Sequence, residues 1–203
     1  MDEVLKSRRV LVEYRNSLVA TRTMDRIDEF GFVIDATDLE RGHRIYHQIY
    51  EMLAKLDSLT YYRTHNQRVI QLAILSGLAR YIYGQAIINN EIEIMEHNGF
   101  EALLRIIGLT MPRRGGKTEA VAQIIAVLLL CVPNIKIIAV APSIRAAGGD
   151  SGLMGHVRRI LVQILKHPAN KIYGKKDETM ILLGPEPNDR RCFHSYPGGA
   201  GDK

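Results

Sequence analysis

Arg105-Ile106-Ile107-Gly108-Leu109-Thr110-Met111-Pro112-Arg113-Arg114-Gly115-Gly116-Lys117-Thr118 is the stretch on which the reading of this chain turns. An apolar run, Ile106 to Met111, predicts a strand that stops at a tight, glycine-bearing turn. The turn ends in Gly116-Lys117-Thr118, and an alanine-rich amphipathic stretch from Glu119 to Leu130 predicts a helix directly behind it. Strand, loop and helix in that order suit the phosphates of a nucleoside triphosphate. Loop amides and the helix N-terminus face the phosphates, the lysine ammonium bridges the terminal ones, and the threonine hydroxyl joins a magnesium shell. Met111 stands where such loops usually begin with glycine, and Pro112, Arg113 and Arg114 follow it. Two arginines in a phosphate loop repel each other unless an anion sits between them, and Lys117 adds a third positive charge. The competing reading is a basic, solvated strand-to-helix turn with no ligand.

Downstream, Lys136 to Ala141 predicts a second strand. Strand, helix and strand imply a right-handed crossover and a parallel sheet. Gly148 to Gly152 interrupts the next element, with Asp150 or Ser151 as a cap. Leu153 to Leu165 then reads as an amphipathic helix carrying His156, Arg158 and Arg159, with Lys166 just beyond. Arg158, Arg159 and Lys166 form either a wet helix face or a DNA contact. Arg145 reads as a solvated helix-cap arginine or, by resemblance to DNA-translocating motors, as a DNA or coupling residue. Thr179 to Leu183 reads as a strand, residues 184–189 as a turn, and Arg191 to Tyr196 as the returning partner strand.

Upstream, residues 1 to about 60 read as helical. Val4, Leu5, Val10, Leu11, Tyr14 and Leu18 recur at helical spacing. Asp38 is a candidate cap for a second helix that buries Ile45, Ile49, Met52, Leu53 and Leu56. Phe32-Val33-Ile34-Asp35 reads as a loop with a capping aspartate. Val69 to Tyr83 has a strongly apolar helix pattern, and Glu91 to Glu96 reads as a surface stretch. Gln67, near the start of the first of these, carries an amide able to accept from and donate to one adenine edge at once. Its alternative is a helix-start glutamine facing solvent. Tyr61 or Tyr62 is either a stacking platform for the base or a core residue.

With 203 residues, of which 46% are hydrophobic, the chain has the composition of a folded domain. A net charge of +5 is compatible with a polyanionic partner without requiring one. Cys131 and Cys192 lack metal-ligand spacing and form no disulfide framework, which suits a reducing compartment. His65, His156 and His194 are scattered. No segment reaches the roughly 18 consecutive apolar residues of a membrane span, and the N-terminus lacks a secretory signal pattern. The expectation is therefore an intracellular, soluble protein.

Pro112-Arg113-Arg114-Gly115-Gly116-Lys117-Thr118 resembles the deviant P-loop of viral terminase large subunits, the DNA-packaging motors of tailed phages and herpesviruses. In that family an arginine stands four residues before the lysine, and Arg113 occupies the place. Ala141-Pro142-Ser143-Ile144-Arg145-Ala146-Ala147 is similar to the family's segment after the second strand. Gln67 lies where its adenine-binding glutamine is expected. Ser195 to Lys203 looks like the stretch before the family's Arg-Gly element and Asp-Glu pair. The resemblance covers roughly residues 61–203.

The resemblance implies an α/β P-loop NTPase of the additional-strand type, with a mainly parallel sheet flanked by helices. A helical extension over 1–60 would precede an ATPase domain over 61–203. It implies ATP and Mg2+ as cofactors. Gln67, Arg113, Arg114, Gly115, Gly116, Lys117 and Thr118 would bind nucleotide; Arg113 and Lys117 would be catalytic, and Thr118 would meet the metal through its hydroxyl. Its implied partners are double-stranded DNA, a portal and a small terminase subunit, in a homo-oligomeric ring inside the infected cell, in the nucleus if the host is eukaryotic. The family's Asp-Glu pair, coupling motif and nuclease domain are not found here, so the reading is of an N-terminal fragment with incomplete catalysis.

Overall fold

The computed structural model describes residues 36–59, 62–108, 115–141, 149, 151–175 and 178–197. The chain divides into Met1–Thr37 and Asp38–Lys203, and the architecture below is that of the second unit. The apolar patterns expected over Val4 to Leu18 and Phe30 to Asp35 lie outside the described residues.

Helix α1 (Ala36–Ser58) buries Ile45, Ile49, Leu53 and Leu56, the face expected from their spacing. It begins two residues ahead of Asp38. That side chain therefore sits in the first turn and pairs with Arg41 at 3.0 Å. Helix α2 (His65–Tyr83) opens on a reciprocal cap that the reading by hydrophobic spacing missed. Thr64 Oγ1 accepts from Gln67 N at 3.3 Å, and Gln67 Oε1 accepts from Thr64 N at 2.9 Å. A short 3-10 turn (Gly84–Ala86) leads into α3 (Ile87–Asn98), which ends at Gly99. The stretch read as mere surface is thus a helix that buries Ile94 and leaves Ile88 and Ile92 outside.

Helix α4 (Lys117–Cys131) is apolar on nearly every side and accordingly lies in the centre of the unit. Strand β1 (Lys136–Ala141) follows, then α5 (Leu153–Arg159), which widens into a π turn over Ile160–Ile164. Gly152 stands at the start of α5, with no side-chain cap from the expected Ser151; Asp150 lies outside the described residues. Strands β2 (Ile172–Tyr173), β3 (Thr179–Leu183) and β4 (Arg190–Pro197) complete the order.

The sheet runs β1-β4-β3-β2. Only β1 and β4 are parallel, with Ile137 opposite Phe193 and Ala139 opposite Ser195. The β4-β3 and β3-β2 pairs are antiparallel. This corrects the expected mainly parallel sheet of the additional-strand P-loop class: the described sheet is small, four-stranded and mixed. Two physical reasons stand out. The run expected to form the first strand is irregular over residues 106–108, and Ile106 is 91% exposed; residues 109–114 lie outside the described residues. The hairpin from β3 to β4 closes locally through Gly184 N donating to Asp189 O at 2.8 Å, which fixes an antiparallel pair at little entropic cost. That hairpin is the one expected from the sequence.

One face of the sheet buries Met180, Leu182 and Phe193 with α4 and the Met154, Val157, Ile160 and Leu161 row of α5 and its π turn. The opposite face leaves Ile138, Val140, Leu183 and Tyr196 exposed. At the helical end, Tyr46 stacks on Tyr83 with centroids 5.4 Å apart, and Tyr46 Oη donates to Leu75 O at 2.6 Å. No helix of the described residues is long and apolar enough to cross a membrane.

Candidate functional site

Gly116 stands at the start of α4 with φ +77 and ψ 14, a left-handed conformation. A side chain there would be strained, and its Cβ would lie 2.9 Å from Gln67 Nε2. The backbone conformation favours glycine here, and any side chain would also push the Gln67 amide aside. The first backward hydrogen bond of α4 runs from Ala120 N to Gly116 O at 2.9 Å. The N–H groups of Lys117, Thr118 and Glu119 precede it and have no intrahelical acceptor. Together with the helix dipole they form the positive end of α4. Lys117 and Thr118 are both exposed there, while Gly115 and Gly116 are half-buried. Arg113 and Arg114 lie outside the described residues.

Gln67 is 7% exposed and is not the solvent-facing glutamine of the alternative reading. Its carboxamide is engaged at both ends. Oε1 accepts from Thr64 N, and Nε2 donates to Gly116 O at 3.4 Å. Four residues on, Gln71 is 1% exposed. Its Nε2 donates to Ala120 O at 3.1 Å and to Gln123 Oε1 at 2.9 Å. Its Oε1 accepts from Arg63 Nη1 at 2.8 Å. Arg63 in turn grips Asp57, with Nη2 to Oδ2 at 2.8 Å and Nε to Oδ1 at 2.9 Å. These hydrogen bonds from Arg63 hold the Asp57 carboxyl below its ordinary value. Arg68 reaches the same carboxylate at 3.2 Å, and its guanidinium lies 5.1 Å from the ring centre of the exposed Tyr62.

Glu119, next after Thr118, ties α4 to α5. Its Oε2 meets His156 Nδ1 at 2.9 Å and Arg159 Nη2 at 3.0 Å. Arg159 is therefore a partner of the α4 N-terminal turn, although its side chain remains 41% exposed. Among the described residues Glu119 Oε1 is buried without a hydrogen-bond donor.

The structure thus brings Gln67, Gly115, Gly116, Lys117 and Thr118 to one end of α4. It adds Asp57, Arg63, Gln71, Gln123 and Glu119, which the sequence reading passed over. Two signals were available: the Thr64-x-x-Gln67 cap and the repeat of glutamine at helical spacing. Two cavities, of about 800 Å3 and 550 Å3, lie elsewhere. The larger borders the Arg41, Arg44 and Lys55 side of α1, and the smaller runs between Leu78, Leu128 and β1. Among the described residues no group of three or more His, Cys, Asp or Glu side chains is placed to hold a metal. A scan against protein-family models finds no match to this chain, and a search of curated proteins finds none either.

Proposed function

We propose that this chain is the ATPase part of a viral terminase large subunit, using ATP to drive double-stranded DNA into a procapsid. One observation carries the reading. Lys117 and Thr118 are the exposed first residues of a buried helix, directly behind a left-handed Gly116. That arrangement offers backbone donors, a dipole end and an ammonium group to one anion.

Lys117 would reach the β- and γ-phosphates, and the Gly115 to Thr118 amides would cradle them. The Thr118 hydroxyl would hold a magnesium ion, whose charge neutralises the phosphates when bound. Arg113 and Arg114 are assigned to the same phosphates, Arg113 to charge on the γ-phosphate, through the family resemblance alone. The same resemblance assigns the portal, the small terminase subunit, a ring of copies and a setting in the infected cell. DNA would be gripped mainly through its phosphates, so binding should weaken steeply with salt.

A second reading is favoured by the mixed sheet: a regulatory nucleotide-binding module that translocates nothing. ATP turnover that rises on addition of double-stranded DNA supports the motor, and binding without turnover supports the module. Both need the phosphate turn. Titrating a fluorescent ATP analogue into Lys117→Ala should show affinity reduced about 10- to 100-fold, the scale of a charged hydrogen bond. Wild-type affinity in that variant removes the site, and both readings with it.

A further inference from the structure

Two glutamines of α2 and two carbonyls of α4 are matched rung for rung. Gln67 Nε2 faces Gly116 O, and Gln71 Nε2 faces Ala120 O; each pair is separated by 49 residues in sequence. Both steps are four residues, one helical turn on each side. We infer that this carboxamide ladder positions the phosphate-binding turn, and that Gln67 is a positioning residue of the turn rather than the reader of the base. The inference rests on the nucleotide reading above.

The geometry supports this in three ways. Each end of the Gln67 amide already has a protein partner: Oε1 closes the cap of α2 and Nε2 reaches Gly116 O. One N–H and one lone pair remain on a residue only 7% exposed, so the two bonds already made set its orientation. A Cβ built on Gly116 would lie 2.9 Å from Gln67 Nε2, so the amide is part of the wall of the turn and would have to shift to admit a methyl group. Gln71 does the same work one turn deeper, where it is buried and out of reach of any ligand at Lys117. Its orientation is set in turn by Arg63, which is anchored on Asp57 at the end of α1. The chain Asp57-Arg63-Gln71-Ala120 thus fixes where the N-terminal turn of α4 stands.

A base reader and a positioning residue differ in what their loss does to a ligand that has no base. Calorimetric titration of the full chain with ATP, GTP and inorganic tripolyphosphate, each with magnesium, separates them. For Gln67→Met, affinity for all three should fall by one common factor of about five to ten, the scale of one neutral hydrogen bond. Gln71→Met should weaken tripolyphosphate in the same direction without touching it. If Gln71→Met does not fold, Gln71→Glu, which keeps the bond from Arg63, replaces it. Amide hydrogen exchange over residues 116–120, read without ligand, should speed up in both variants. Loss of ATP affinity in Gln67→Met with tripolyphosphate binding intact would make Gln67 the base reader and overturn the inference. So would wild-type affinity and exchange in both variants. Wild-type chain that binds none of the three ligands refutes the nucleotide reading itself, and the ladder's proposed role falls with it.

Discussion

Gly42 lies in the middle of α1, where a glycine lacks the helix preference of alanine by about 1 kcal/mol. Its reason is the Tyr83 ring, three atoms of which a Cβ would overlap. The ring cannot turn aside. It is stacked on Tyr46, and its hydroxyl lies 2.9 Å from both His43 Nδ1 and Asn98 Nδ2. Burial pushes the Tyr83 phenol up to about 12, so it stays a neutral hydrogen-bonding group. The clash therefore outweighs the propensity. Overpacking of about 1–3 kcal/mol, less the roughly 1 kcal/mol that alanine returns to the helix, should leave Gly42→Ala less stable by up to about 2 kcal/mol, seen as a lower urea midpoint. An unchanged or raised midpoint would show that α1 and Tyr83 are not held so closely.

At the scale of elements, the Asp189–Arg191 pair joins α4, the turn before β1, and β4. Arg191 Nη2 lies 2.6 Å from Asp189 Oδ2, and both side chains are almost wholly buried. Arg191 also donates to the Leu129 and Leu130 carbonyls at the end of α4, while Asp189 Oδ1 accepts from Asn134 N at 2.8 Å. Removing one partner leaves a buried charge unpaired, which costs about 3–5 kcal/mol. Asp189→Ala should therefore cost far more stability than a typical turn substitution, and a loss below about 1 kcal/mol in denaturant unfolding would refute the assignment.

The same scale shows how legible this chain was. Helices α2 and α4 and the hairpin from β3 to β4 were readable because long apolar runs and turn residues suffice to specify local structure, although α4 is apolar all round and not the amphipathic helix expected. The turn at Gly116-Lys117-Thr118 was readable because its chemistry sits in consecutive residues. The pairing of strands was not. The apolar run from Ile106 looks like a strand in isolation, yet whether it pairs depends on which edge meets it, and that is tertiary. Asp57, Arg63 and Gln71 went unnoticed for a related reason: each is an ordinary polar residue until the fold buries it beside a partner. Gln67 was singled out as a base reader, while the Thr64-x-x-Gln67 cap that holds it was not read.

At the scale of the whole molecule, two carboxylates tie stability to pH. Asp189 and Asp57 are both held below their ordinary value of 3.8, chiefly by hydrogen bonds from Arg191 and Arg63. In the unfolded chain they take up protons near that value, and in the native chain only at lower pH. Their contribution is thus complete above the unfolded pKa and is lost as pH falls through the folded values. The free energy of unfolding in urea should decline as pH is lowered below about 4, and the decline should be shallower in Asp57→Asn. An equal slope in wild type and variant would mean that Asp57 gains nothing from Arg63 on folding.

The matched four-residue spacing of the α2 and α4 rungs works like a detent. Sliding one helix along the other by less than a turn unhooks both amides together, and the next engaged setting lies about 5.4 Å away. The two contacts would thus be lost as a pair, so this seam between the helices would loosen as one unit.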